Sequence, residues 1–238
     1  EILADEFNIT REQMDAFAAS SHEKAAKATD EKAFDAEIHP FPNPDRKAGP
    51  EPLVKDECIR PGSTPESLAK LRPVFRKDGR VTAGNSSPLN DGAASCVALT
   101  LPEAEKRGLE PEAYITGAVV TGLDPKRMGL GPALALPRLL EGQGLTLDDI
   151  DLIEINEAFA AQVLAVLMQL EQNGTPVPAE KLNIRGGAIA LGHPLGATGL
   201  RLVTTLVHSL KSLGLRRGVA TLCVGGGQGM AVMVETSV

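Results

Sequence analysis

One helix-length stretch limits the folds open to this chain. Residues 157–170, within NEAFAAQVLAVLMQLEQNG, carry apolar side chains nearly all the way round: Phe159, Val163, Leu164, Val166, Leu167 and Leu170. A helix with one apolar stripe lies on a surface, whereas a helix that is apolar on most faces must be covered on most faces. Its neighbours in sequence read as strands. DIDLIEI runs into it, and YITGAVVTG lies upstream, separated by the helix candidate ALALPRLLEGQGL, which Pro137 can bend or shorten. Downstream, LNIRGGAIALG reads as a strand with a glycine pair, and ATGLRLVTTLVHSLKSLG as a helix closed by Gly214. GVATLCVGG and GMAVMVET then read as two strands joined through GGGQ. Alternating strands and helices predict an α/β layered fold that ends on a hairpin-like strand pair. The apolar helix calls for a layer between two sheets, and these strands suffice for one.

The first half is less regular. ITREQMDAFAASSHEKAAKA reads as a helix with Thr10 as N-cap and Gln13 at the capping-box position. From Ile38 to about Arg80 the chain is rich in proline and mixed charge, with PESLAKL as one short helix. Such a stretch is too long for a simple connection and is expected to cover something or to carry function.

Composition excludes several classes. The net charge of −7, with no Trp and one Tyr, argues against a nucleic-acid partner, which asks for a basic surface and stacking aromatics. Three scattered cysteines make no disulfide framework and suit a reducing compartment. No apolar run reaches the roughly 18–20 residues of a membrane span. The opening EILADEFNIT lacks Met, a signal h-region and a basic transit pattern, and reads as the middle of something longer.

Three reactive points follow expected strands: Asn156-Glu157 after DLIEI, His193 after AIALG, and Cys223 with Gly225, Gly226, Gly227 and Gly229 after GVATL. Ligands of α/β sheets gather outside strand carboxyl ends, so the three can converge on one site. Each also has an ordinary explanation. Asn156 is a helix N-cap, His193 a turn histidine bonded to a carbonyl, and Cys223 a small buried hydrophobe. His193 has no second ligand at metal-binding spacing. Gly187 to Gly192 has the phosphate-loop gap, but His-Pro stands where Lys-Ser/Thr belongs, and GGGQG fits no dinucleotide fingerprint. The small residues of ALGHPLGATG let backbone and ligand approach the His193 ring, and those after Cys223 leave N–H groups room to meet an oxyanion. Cys58 and Cys96 read as inert thiols, and His22, His39 and His208 as structural or solvated.

NEAFA, GGAIALGHPLGATG and CVGGGQGMA, in this order and spacing, resemble the thiolases, the acyl-CoA C-acyltransferases. RPVFRKDGRVTAGNSSPLNDGAA resembles the family's segment between loop domain and core. The resemblance implies the layered α-β-α-β-α thiolase fold, seen here as loop domain plus C-terminal mixed-sheet half. Its implied boundaries are 1–88 for a partial, coenzyme A-binding loop domain, 89–112 for a returning piece of the N-terminal domain, and 113–238 for the C-terminal domain. It implies a ping-pong reaction through an acyl-cysteine, on coenzyme A thioesters and without a cofactor. His193 would activate the nucleophilic thiol, Asn156 position a water in one oxyanion hole, Cys223 serve as acid and base, and the Gly225 N–H line the second hole. Arg60 would meet a nucleotide phosphate and Ser67 lie by the adenine. Phe75, Ala83 and Ser87 would flank the pantetheine arm, and Met128 and Phe159 the acyl pocket. Pro88 stands where many members have Gly, a hint of the degradative type.

The family's Asn-x-x-Cys-x-Ser-Gly nucleophile pattern does not occur here. The expectation is therefore a C-terminal portion lacking most of the N-terminal domain and inactive alone. The alternatives are a non-catalytic acyl-CoA or lipid-binding relative, or one subunit of a split enzyme. The resemblance implies a homodimer or homotetramer. The expected location is the cytoplasm, with the mitochondrial matrix as alternative, and ETSV is no peroxisomal address.

Overall fold

The computed structural model describes residues 1–43 and 51–237, so part of the proline-rich stretch, 44–50, lies outside the described residues. In chain order come α1 (Ile2–Glu6), α2 (Arg11–Asp30), α3 (Pro65–Leu68), α4 (Leu101–Lys106), β1 (Tyr114–Gly122), α5 (Gly131–Gln143), β2 (Leu152–Ile155), α6 (Ala160–Gln172), α7 (Ala188–Leu191), α8 (Leu195–Leu213), β3 (Arg217–Val224) and β4 (Gln228–Glu235).

The strands form one sheet in the order β1-β4-β3-β2. β2 runs parallel to β3, and the other two pairs are antiparallel. Gly226 and Gly227 take left-handed φ of 91° and 89°, which lets the β3–β4 hairpin turn without a Cβ penalty. Alternation along β2 sorts its side chains. Ile153 and Ile155 enter the core shared with α5 and α6, while Leu152 joins Leu202, Leu206 and Leu210 of α8 on the opposite face. Each fully buried Leu or Ile of this kind contributes about 1.5–3 kcal/mol by leaving water.

α5 lies on β1, β3 and β4, and α6 packs against α5, with Val163, Val166 and Leu170 in the core they share with the sheet. The other side of α6 is covered by α1 and α2, whose Leu3, Ala4, Met14 and Ala18 belong to the same core. Among the described residues there is a single sheet, so two helices supply the cover that a second sheet would give. α2 starts at the expected capping box: Thr10 Oγ1 accepts from Gln13 N at 3.2 Å, and Gln13 Oε1 accepts from Thr10 N at 2.8 Å. Pro137 sits inside α5 without ending it, and α8 closes on Gly214 in the left-handed conformation.

Two expectations fail. LNIRGGAIALG, expected as a strand, touches the sheet by one bridge, Ile153 to Leu182. Left-handed φ at Asn183 (42°) and Gly186 (76°) breaks it, and α7 follows. The Asn183 amide takes the place of a strand neighbour: its Oδ1 accepts from Ile155 N at 2.8 Å and its Nδ2 donates to Ile155 O at 2.9 Å. Asn156, expected as the N-cap of α6, stands outside that helix, whose first flanking residue is Phe159 with no side-chain cap. The segment from Leu89 to Thr100 has no regular structure, and Leu89 and Val97 are 97% and 86% exposed.

Candidate active site

His193 follows a short helix rather than a strand, directly before the N-terminus of α8. Three contacts define its setting. Its backbone N–H donates to Asn90 Oδ1 at 2.8 Å. Gly192 makes room for this, because with φ of 102° it lies where a Cβ would meet the Asn90 amide at 2.6 Å. The Nδ1 of the ring lies 2.7 Å from Thr198 Oγ1, whose own hydroxyl donates to Pro194 O at 3.2 Å. The Nε2 lies 3.4 Å from Asn156 Nδ2. An amide nitrogen only donates, and the Thr198 proton is engaged with Pro194. The neutral tautomer with hydrogen on Nδ1 and a lone pair on Nε2 satisfies all these groups. Burial, and then the charge of Arg201, hold the His193 pKa below its usual 6.5. The positive end of α8 acts in the same direction. The ring is thus a neutral base with Nε2 as its basic atom.

Asn156 is fully buried, and its backbone N–H donates to Thr221 O at 3.0 Å. That bond fixes it against β3, two residues before Cys223. Cys223 lies near the end of β3, paired with Gly229 of β4. Burial pushes its thiol up to about 11, so it is protonated at neutral pH. It opens onto a cavity of about 380 Å³ lined also by Phe75, Met128, Phe159, Val81 and Gln162. Phe75 and Phe159 meet edge to face with centroids 6.0 Å apart.

The structure therefore brings Cys223, Phe75, Met128 and Phe159 into one cavity and pairs His193 with Asn156. His193, Asn156, Gly225, Arg60, Ser67, Ala83 and Ser87 are not among the residues lining that cavity. Ser87 lies close by, its N–H and Oγ both donating to Ala158 O at 3.0 and 3.1 Å. Gly225 is exposed in the β3–β4 turn and Ala83 in the turn after Thr82. Arg60 and Ser67 are exposed on the proline-rich stretch. Ser67 closes the capping box of α3 with Thr64. The Arg60 N–H donates to Nδ1 of buried His22 at 3.2 Å, which ties that stretch to α2.

Asn90, Thr198 and Gln162 were not singled out from sequence, and Glu157 was named there only beside Asn156. Asn90 and Thr198 hold His193. Glu157 receives Ser21 Oγ at 2.6 Å, Asn183 Nδ2 at 2.9 Å and Ile189 N at 3.2 Å, which joins α2, the loop before α7 and α7 behind Asn156. Gln162, lining the cavity and 4% exposed, has neither amide atom hydrogen-bonded. Among the described residues, no group of three His, Cys, Asp or Glu side chains could hold a metal ion.

The family model "Thiolase, C-terminal domain" matches residues 109–236, and "Thiolase, N-terminal domain" matches residues 1–101. The second match corrects the expectation that most of the N-terminal domain is lacking, because the first 101 residues, proline-rich stretch included, fall within it. The acetyl-CoA acetyltransferase of Pseudomonas aeruginosa is 48% identical over 98% of this chain and 58% of its own length. That of Chromobacterium violaceum is 46% identical over 99% of this chain and 59% of its own. The crystal structure of the Bacillus anthracis acetyl-CoA acetyltransferase superposes with a TM-score of 0.93 at 47% identity, over 99% of this chain and 58% of that one. Human mitochondrial 3-ketoacyl-CoA thiolase in complex with CoA gives a TM-score of 0.86 at 40% identity, over 99% and 57%. The chain thus spans a little under three-fifths of the length of these curated relatives. With both family models matched, the C-terminal one over more than half of the chain, and the mixed sheet in place, the chain belongs to the thiolase family.

Proposed function

We propose that the protein to which this chain belongs is an acyl-CoA C-acyltransferase that makes or cleaves the C2–C3 bond of a 3-ketoacyl-CoA through an acyl-cysteine. The observation that carries this reading is the buried, protonated thiol of Cys223 in the wall of an apolar cavity. In the cleavage direction, His193 Nε2 takes the proton of a nucleophilic thiol, and the thiolate attacks the 3-keto carbon. The C2–C3 bond breaks with its electron pair on C2, and the Cys223 S–H delivers the proton that turns this carbanion into acetyl-CoA. The thiol of coenzyme A then takes the acyl group from the cysteine. Asn156 holds the His193 ring and a water in one oxyanion hole, and the Gly225 N–H serves the other.

The nucleophile is proposed to lie outside these 238 residues, since neither Cys58 nor Cys96 stands in the family's pattern. Residues 1–88 are assigned to carrying coenzyme A, through Arg60 and Ser67 at the nucleotide end and Ala83 and Ser87 along the pantetheine arm, with 89–112 and 113–238 as the remaining two units. The names of the relatives add acetyl-CoA as acyl donor, and the CoA complex of the human thiolase supports the ligand class. No further cofactor enters this chemistry. A homodimer or homotetramer in the cytoplasm completes the proposal.

The test is thiolysis of acetoacetyl-CoA by the full-length protein. Cys223→Ser and His193→Gln are each expected to lower kcat by about 10²–10⁴. Coenzyme A binding without turnover by the full-length protein would sink the enzymatic reading in favour of a binding protein. Turnover by the 238-residue chain alone would sink the placement of the nucleophile.

A further inference from the structure

Behind His193 lies an ion pair, Glu154 and Arg201, with no part in the chemistry above. Glu154 and Asn156 are two residues apart, so alternation directs both toward α8. The pairing follows in order. Asn156 meets His193, Glu154 faces Arg201 with Oε2 3.7 Å from Nη1, and Leu152 packs with Leu206 and Leu210. On α8, Thr198 and Arg201 are three residues apart and share a face, so Arg201 sits one turn behind the hydroxyl that bonds the His193 ring. Arg201 Nη1 and Nη2 and Glu154 Oε2 are buried without a hydrogen bond. A buried guanidinium held this way earns its place through its field rather than through contacts.

We propose that Arg201 is a positioning residue whose guanidinium keeps the His193 ring neutral and its Nε2 unprotonated. The groups facing the ring are Asn156 and, beyond it, Glu154 from β2, Thr198 and Arg201 from α8, and Asn90 beside Asp91 from the loop before α4. Burial first, and then the charge of Arg201, lower the His193 proton affinity. Burial pushes the ion-pair partner of Arg201, Glu154, up to about 8, so that carboxyl is largely protonated at neutral pH and does not cancel the guanidinium. The proposal rests on His193 as the base only for its purpose, since the charge effect itself needs no catalysis.

The experiment is a ring-nitrogen NMR titration of the 238-residue chain, with the His193 signal assigned by its loss in His193→Gln. Arg201→Met is expected to raise the His193 midpoint by about half a pH unit or more, Arg201→Lys to restore it, and Glu154→Gln to leave it within about 0.2 unit. Should Arg201→Met not fold, the apolar pair Arg201→Met with Glu154→Leu carries the same expectation. An unmoved midpoint in a folded variant without Arg201, or no rescue by Lys, overturns the proposal. If the midpoint moves while full-length Arg201→Met keeps the wild-type pH profile of thiolysis, the charge effect stands and the reading of His193 as the base falls.

Discussion

Glu154→Gln separates two pictures of the charge buried under the sheet. Glu154 is 2% exposed on the α8 side of β2, and burial raises its carboxyl from 4.5 to about 8 despite the pull of Arg201. A carboxyl whose folded pKa lies above its unfolded value contributes stability that is fully present below the unfolded pKa. That stability is lost as pH rises through the folded pKa, because the unfolded chain sheds the proton first. The window here is pH 4.5 to about 8. At about 1.4 kcal/mol per unit, the gap corresponds to about 5 kcal/mol in total, most of it lost by neutral pH. Gln keeps the shape of the neutral acid and cannot ionise in either state. Urea unfolding of both proteins, followed by circular dichroism from pH 5 to pH 8, gives the difference directly. Wild type is expected to lose about 4 kcal/mol relative to the variant across that range. If Glu154 were instead ionised in a salt bridge with Arg201, the variant would be the weaker protein throughout, by about 3–5 kcal/mol. Parallel stability curves, or a variant that falls further behind as pH rises, would refute the neutral-acid argument.

Three further outcomes follow from the geometry. Gly229→Ala would place a Cβ 2.2 Å from Gly131 O at the start of α5, where only backbone can give way, so a loss of about 2 kcal/mol or more and a fall of several degrees in Tm are expected; an unchanged Tm contradicts the contact. Glu157→Gln points an amide N–H₂ at donors from Ser21, Asn183 or Ile189 and is expected to cost about 2–4 kcal/mol in the same urea assay, while a cost near zero would show that the carboxylate does not hold these elements together. Thr198→Val removes the oxygen facing His193 Nδ1, and ring-nitrogen NMR is expected to show a mixture of tautomers in place of one, with about 1 kcal/mol lost from stability; a single unchanged tautomer would free Thr198 of that role.

Local pattern was sufficient where apolar period and end signals agree. YITGAVVTG forms β1 over all nine of its residues, α8 closes on Gly214, and Thr10 with Gln13 opens α2. It failed where a distant group decides. LNIRGGAIALG has the apolar residues of a strand, yet the Asn183 amide, by bonding both backbone groups of Ile155, occupies the edge of β2 that a fifth strand would need. Nothing within the segment announces a partner 28 residues away. The N-cap expected at Asn156 failed for a related reason, since its amide is drawn to a ring 37 residues on.

The site divides along the same line. His193, Asn156 and Cys223 were visible because reactive side chains stood among small residues in an α/β pattern. The groups that set their chemistry were not: Asn90 reaches His193 across 103 residues and Ser21 reaches Glu157 across 136. One part could have been read. In DLIEIN, alternation alone puts Leu152, Glu154 and Asn156 on one face, and a carboxylate between a core leucine and a site asparagine is costly to bury unless it stays protonated or meets a cation. The only basic residue in the first turns of the following long helix, two turns past His193, is Arg201. A strand that alternates and a helix that repeats every three to four residues suffice to bring the two together, and with them the charge that bears on the histidine.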